Sequence, residues 1–308
     1  MARYAIRRLL QMVLVFFGVT LLIYGMVYAL PGDPIRGMAG DRSLSPSVIA
    51  ALRARYHLND PLFVQYGKYI GGLVHGDLGQ DFNGNDVSSL MQRRWPITIR
   101  LAITAWLIEI VVGMGLGVLA AMRRGRWADH TVLILTIAVI SVPIFVLGYT
   151  AQLLLGVKAG IFPVSGATYG WPRSYILPAI ILAAFGLASV ARLTRASMLE
   201  NMRADYVRTA YAKGLTTRRV VIRHVLRNSM IPALTYLAID LGYLLGGTVI
   251  IEGIFNLPGV GQLLFTSIQT HQGPVVVGVA TLLVLIFLAA NLLVDLLYGI
   301  LDPRIRYE

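Results

Sequence analysis

The run "LLQMVLVFFGVTLLIYGMVYAL", Leu9–Leu30, has 22 residues and no charge. Coiled as an α-helix it would span about 30 Å, the thickness of a bilayer's hydrocarbon core. Five further apolar runs repeat the constraint: Ile97–Met122, Thr131–Val157, Ile176–Ala191, Met230–Ile251 and Val275–Tyr298. In lipid the backbone must satisfy its polar groups within each segment, so runs like these dictate helices. The expected fold class is therefore an all-α polytopic membrane protein with about six transmembrane helices. Only 14% of the residues are charged, against about 25% in soluble domains. The fourth run is the weakest, being short and flanked by arginines. The first reads as a retained helix, because its apolar region is too long for a secretory signal and "YALPGDP" is a poor cleavage site.

Charge orients the helices. The net charge of +12 would suggest nucleic acid in a soluble chain, but here the positive-inside rule accounts for it. With a cytoplasmic N-terminus, the inner segments are 1–8, 123–130, 192–229 and 299–308. They hold 17 of the 27 lysines and arginines. Segment 192–229 alone carries nine against two acids, whereas 31–96 is close to neutral, with seven bases and six acids. The expected topology is N-in and C-in, with no nucleic-acid partner and lipid around the spans.

Three regions follow: an N-terminal transmembrane helix over 1–30, an extracytoplasmic helical insertion over 31–96, and a core with the remaining spans over 97–308. In the insertion, "LSPSVIAALRARYHLND" opens on a Ser-Pro cap and has helical spacing at Ile49, Leu52 and Tyr56. A second periodic run holds Phe63, Tyr66, Tyr69 and Ile70, with turns expected at Pro61, Gly71–Gly72 and "HGDLGQDFNGND". This insertion is too short for a two-lobed solute receptor but could dock one. Within the spans, Gly113 and Gly117, and Gly242 and Gly246, lie four apart on faces that permit close helix contact. Ordinary packing, a subunit contact or a flexing point would each use such a face.

Two acids fall inside spans, Glu109 and Asp240. Intramembrane carboxyls are costly and face protein or water. They either line a hydrophilic pathway, where they could hold a cation or a peptide amine, or pair with polar groups in packing. The five histidines show no metal-ligand spacing, and the absence of cysteine excludes disulfides and thiolate metal sites. No phosphate-binding glycine loop, dinucleotide fingerprint, HExxH or nucleophile elbow is present. The chain is thus read as non-catalytic, with no cofactor or metal bound; if it drives transport, the energy comes from an ion gradient or from another polypeptide.

The most informative segment is "RTAYAKGLTTRRVVIRHVLRNSMIP", Arg208–Pro232. Spacings of four through Tyr206, Ala210 and Gly214, and through Val207 and Tyr211, predict a short helix that Gly214 ends. Thr216 or Thr217 can cap a second helix, with Val220, Val221, Val225 and Leu226 apolar and Arg218, Arg219, Arg223 and Arg227 around them. Pro232 suits the opening turn of the fifth span. A basic loop against anionic lipid would explain the arginines; a docking protrusion would also explain the small residues and the break.

The stretch "DYVRTAYAKGLTTRRVVIRHVLRNSMIPALT" resembles the EAA loop of importer-type ABC permeases, in the form found in oligopeptide and dipeptide systems. Arg208, Thr209 and Ala210 occupy the Glu-Ala-Ala positions, and only the last is literal. Gly214 and Pro232 match the family's glycine and terminal proline. "ALPGDP", "YHLNDPLFVQYGKYIGGLVHGDLG", "VARLTRASMLE", "VIIEGIFNLPGVGQLL" and "LLYGILDPRIRY" extend the likeness to B-type permease subunits over essentially the whole chain. The resemblance implies a type I ABC importer permease fold. It also implies a second, C-type permease, two ATPase subunits or a fused pair carrying ATP and Mg2+, an extracytoplasmic peptide-binding protein and a peptide substrate. Segment 204–230 becomes the cytoplasmic coupling loop, with Arg208, Thr209, Ala210, Gly214, Leu215, Arg219 and Arg223 on the ATPase. Glu252, Pro258, Gly259 and Gly261 join Glu109 and Asp240 as pathway or gate candidates. Nickel complexes, glutathione or another small solute are the alternative cargoes of the same machine. An ion-coupled secondary transporter and a non-transporting scaffold are the alternatives from other classes.

Overall fold

A computed structural model of the chain describes residues 2–28, 35 and 45–301. The motif "ALPGDP" at 29–34 and the end of the inner segment 299–308 lie outside the described residues. Among those described, regular structure is helical throughout, with one isolated antiparallel bridge between Gln80 and Asp86. The chain forms two compact units, Met1–Thr98 with Asn256–Glu308, and Ile99–Phe255.

In the first unit, α1 (Ala2–Tyr28) packs along α14 (Gly273–Leu301). Gly273 makes room for this contact: a Cβ there would lie 3.0 Å from Val27 Cγ1. Two short helices belong to the 31–96 insertion, α2 (Pro46–Arg55) and α3 (Leu62–Val74). Ser45 caps α2 by accepting the Val48 N–H at 3.4 Å, and Pro46 takes the first helical position, where a missing N–H is harmless. The turn expected at Gly71–Gly72 is absent; α3 runs through both glycines and ends at Val74. The following loop closes on its acids. Asp77 Oδ1 accepts the Gly79 N–H at 2.8 Å, and Asp81 Oδ1 accepts those of Asn83 and Asn85 at 2.9 and 2.7 Å. Leu78, Val87, Met91, Val260, Leu263, Val275 and Val279 form the core beneath it. Here α13 (Val260–Gln269) begins with its Val260 N–H donated to Thr98 Oγ1 at 2.9 Å.

The second unit is built around α8 (Ile176–Asn201), the run that looked weakest in the sequence. It continues well past Ala191 through "VARLTRASMLE", and 56% of its apolar window is buried, against 11% for α1. α4 (Val87–Ile108) leads into a π-helical turn Glu109–Gly113 and α5 (Met114–Met122), and these last two pack on α8. So do α6 (Trp127–Ile140), α7 (Ile144–Ala151), which runs into the π-helical Gln152–Lys158, and α12 (Ile231–Phe255). The helix expected from Ile97 therefore starts ten residues earlier at Val87, with Pro96 accommodated inside it.

One expected span is bent, and another is kinked away from the segment before it. The run Thr131–Val157 breaks at Ser141–Pro143, and its halves meet at 104°. Pro143 cannot donate into a continuing helix, so its carbonyl instead starts α7 by accepting the N–H groups of Val146 and Leu147. The segment Thr217–Ser229 meets Ile231–Gly246 at 43°. Among the described residues four helices, Ile6–Tyr28, Val87–Met122, Ile176–Asn201 and Gly273–Leu292, are each long and apolar enough to cross a membrane, and counting each of three bent helix pairs as a span gives up to seven.

Gly113 and Gly117 are where α8 comes closest to the second span. A Cβ on Gly113 would sit 3.1 Å from the Leu187 carbonyl oxygen, and one on Gly117 would sit 2.6 Å from that of Ala191. Backbone cannot yield as a side-chain tip can. Around Gly246 there is open space, so that glycine is not kept bare by a neighbouring helix. Gly117→Val should destabilise the detergent-solubilised protein by about 1–3 kcal/mol, the usual cost of overpacking. Gly246→Val should leave its thermal unfolding within about 1 kcal/mol, a helical glycine gaining a β-branched side chain in free space. Equal melting shifts for the two would remove this assignment.

Candidate functional site

The basic segment folds as a helix, a glycine break and a second helix. α9 (Asp205–Ala212) ends ahead of Gly214, whose φ of +79° is a conformation that costs a residue with a Cβ. The return arm consists of α10 (Thr217–Val220), a π-helical turn Val221–Val225 and α11 (Leu226–Ser229). Thr216 occupies the N-cap position in extended backbone, but its side chain makes no capping bond.

One face of this hairpin is fastened to the spans. Val207, Ala210, Val220, Val221 and Val225 are buried in a cluster with Ala121 of α5 and Met198 of α8, and Leu215 packs against it. Ala210 is thus small for the sake of internal packing rather than to admit another surface. The opposite face is open: Arg208, Thr209, Gly214, Arg219 and Arg223 are exposed. A side chain at Gly214 would meet nothing within 4 Å. Arg208 reaches Asp205 at 3.5 Å, but both are largely in solvent and the pair carries little stability. Tyr206 ties the hairpin to α8 by donating to Asn201 Oδ1 at 2.7 Å, and Asn201 donates on to the Ser197 carbonyl at 2.9 Å.

A second anchor escaped the sequence reading. Arg195, inside "VARLTR", makes a bidentate contact with Asp129: Nε donates to Oδ1 at 2.6 Å and Nη2 to Oδ2 at 2.9 Å. Asp129 Oδ2 also accepts the Gly125 N–H at 2.9 Å. One carboxylate therefore holds both the α5–α6 turn and α8. The signal available was an acid in the otherwise basic 123–130 segment.

The two intramembrane acids, 131 positions apart, come together. Glu109 opens the π-helical turn and is fully buried; Asp240 on α12 is 8% exposed. Their carboxyls approach each other in one cavity of about 290 Å³, with Tyr236 beside Asp240 and Ser189 beside Tyr236. Gly186 of α8 supplies the space, since a Cβ there would collide with the Glu109 carboxyl. The other gate candidates are distributed differently. Glu252 is buried near the end of α12 in the second unit. In the first unit, Pro258 is exposed, while Gly259 and Gly261 are buried at the start of α13.

The first unit holds a further cavity, of about 220 Å³, lined by Tyr24, Tyr28, Tyr56, Tyr69, Lys68 and Asp77 among others. The rings of Tyr24 and Tyr69 lie 5.6 Å apart. Burial pushes the Tyr69 hydroxyl up to about 12, while Lys68, 2.7 Å from Asp60, holds that carboxyl below its usual range. Tyr66 and Tyr69 were legible as one helical face; that Tyr24 of α1 would join them was not.

Comparison with known proteins gives concordant matches. The family model described as "Binding-protein-dependent transport system inner membrane component" matches residues 113–307. The model for the N-terminal region of such membrane components matches residues 1–102. The dipeptide transport system permease protein DppB of Escherichia coli strain K12 is 39% identical over 338 aligned residues, covering 100% of both chains. The glutathione transport system permease protein GsiC of Escherichia coli O6:H1 is 38% identical over 309 residues, again covering 100% of both.

The Arg195–Asp129 contact gives a direct test. Arg195→Ala should cost about 1.5–3 kcal/mol, the range for hydrogen bonds to a charged partner, read as a lower unfolding temperature of the purified protein. Arg195→Lys should recover only part of it, because an ammonium cannot reproduce the forked geometry. Adding Asp129→Asn to Arg195→Ala should cost less than the sum of the two singles.

Proposed function

This chain belongs to the family of binding-protein-dependent transport system inner-membrane components, and on that premise we propose that it is a permease subunit of an ATP-driven importer of short peptides. The observation that carries the reading is the hairpin of residues 204–230, with one face packed on α5 and α8 and the other open. A partner gripping the open face pulls directly on α8, the helix around which the second unit is built.

In this reading the exposed residues Arg208, Thr209, Gly214, Arg219 and Arg223 meet an ATPase, and Leu215 and Ala210 hold the hairpin's shape. Two ATPases, separate or fused, bind ATP and Mg2+, while a homologous C-type permease completes the path. An extracytoplasmic binding protein delivers peptide to the outer insertion and to Glu252–Gly261. ATP binding draws the two hairpins together and favours the outward-open state; hydrolysis releases them. The nucleotide therefore acts by shifting a population between two arrangements. This chain performs no covalent chemistry. The family's inner-membrane setting agrees with the long apolar helices, and the charge distribution favours six spans with both termini inside.

Peptide cargo fits both relatives: one is named for dipeptides and the other for glutathione, itself a tripeptide. Their nearly equal identities leave peptide length to the receptor. The test is co-purification of the tagged chain from native membranes, followed by reconstitution with its companions. A second permease and two ATPase chains, with ATP-dependent uptake of labelled peptide, is the expected result. A homo-oligomer without ATPase, under conditions that preserve a control ABC complex, would refute the reading. Gly214→Trp should insert in the membrane yet recover less than about a tenth of the ATPase. Gly214→Asn, which tolerates positive φ, should retain most of it. Full recovery by the tryptophan variant would exclude close approach at this glycine.

A further inference from the structure

Coupling through the hairpin leaves the acid cavity of the second unit without a role. Glu109 is fully buried, and its carboxyl oxygens face the Asp240 carboxyl with no other hydrogen-bond partner; Asp240 Oδ2 likewise has none outside this pair. Among the described residues no cationic side chain forms an ion pair with either acid. Two carboxyls withdrawn from water and facing each other are strongly unfavourable unless a cation or a shared proton compensates them. The sequence pays for this arrangement in backbone as well, since Glu109 begins a π-helical turn, a local departure that recurs at functional sites, and Gly186 is kept bare where the carboxyl lies.

The rest of the cavity indicates which cation would fit. Leu182, Phe185 and Leu244 make its walls mostly apolar, and Tyr243 adds an aromatic face with a hydroxyl. A hard metal ion such as calcium seeks six to eight oxygens; two carboxyls and a phenol fall short, and no third acid, histidine or cysteine joins them among the described residues. A primary ammonium differs on each count. It has three N–H donors that two carboxyls can share, it is attracted to aromatic faces, and it arrives on carbon that apolar walls accept.

We propose that Glu109 and Asp240 form a subsite for a primary ammonium group carried on an apolar chain, the group that a peptide presents at its amino terminus or on a lysine. The subsite deepens the peptide-import reading and rests on it for its biological ligand. Glu109 and Asp240 each accept an N–H bond from the ammonium, and Phe185, Leu182 and Leu244 enclose the adjoining carbons.

The test is calorimetric titration of the purified complex, in detergent and without nucleotide, at constant ionic strength. The expected result is saturable binding of n-butylammonium, weakened at least tenfold by Glu109→Gln and by Asp240→Asn, with unfolding temperatures showing that each variant is folded. Should one variant fail to fold, the other carries the comparison. Tetramethylammonium, which has no N–H donor, and sodium should bind at least tenfold more weakly than n-butylammonium. Leucine methylamide and Nα-acetyl-lysine methylamide then separate the two sources, since one carries only an α-ammonium and the other only a side-chain ammonium. No saturable n-butylammonium binding, equal binding by a folded variant, or equal binding of sodium would each overturn the subsite. If peptide uptake is intact and ammonium binding absent, the subsite alone is wrong. If ammonium binding is intact and peptide uptake absent, the subsite stands and the peptide reading fails.

Discussion

Close contact between the second span and α8 is the constraint on which the second unit depends. In lipid, an apolar side chain gains little by exchanging hydrocarbon for another helix, so helices hold together through dispersion at short range and through the few polar bonds they can make. Gly113 and Gly117 bring the backbone of one helix against the carbonyls of the other. Gly186 does the same from the α8 side, and there the space is filled by a carboxyl. Removing the Cβ atoms thus serves two ends on neighbouring turns: contact along most of the interface, and room for a polar group at one place within it.

The same helix joins the apolar spans to the basic hairpin. Beyond Ala191, α8 carries Arg195, which grips Asp129, then Ser197 and Met198, which receive the hairpin, and it ends at Asn201. The hairpin is therefore an extension of the packed interior. Its arginines face outward because the valines and Ala210 face in. An open basic face on a rigidly seated base is suited to receiving force from another subunit, and the glycine break keeps its tip narrow.

The Glu109–Asp240 cavity lies against the same helix, through Leu182, Phe185 and Gly186. Any motion of α8 driven from the hairpin would change the walls around the two acids. A ligand held there would be sensed in turn by the helix that the hairpin engages, since coupling between two sites is reciprocal. One packed element thus links the chain's two chemically distinctive features.

Much of this was legible in the order of residues. Uncharged runs as long as Leu9–Leu30 must be helical in lipid, Ser45–Pro46 favours a helix start, and Gly214 before Thr216–Thr217 favours a break and a new start, because each follows from local backbone and solvation physics. The EAA-like hairpin was readable for the same reason, its apolar and basic positions separating at helical spacing. Other features depended on partners far along the chain. The run at 176–191 looked weak because it is short and bounded by arginines, yet its helix became the most buried of the four long spans, because burial depends on what packs around a helix and not on where its charges begin. The turn expected at Gly71–Gly72 gave way to helix, since glycine permits a break without compelling one. Glu109 and Asp240 were visible as isolated acids. Only the tertiary structure, by closing α12 and the π-helical turn onto Gly186, made them a pair, because a distance between residues 131 positions apart is set by packing and not by sequence spacing.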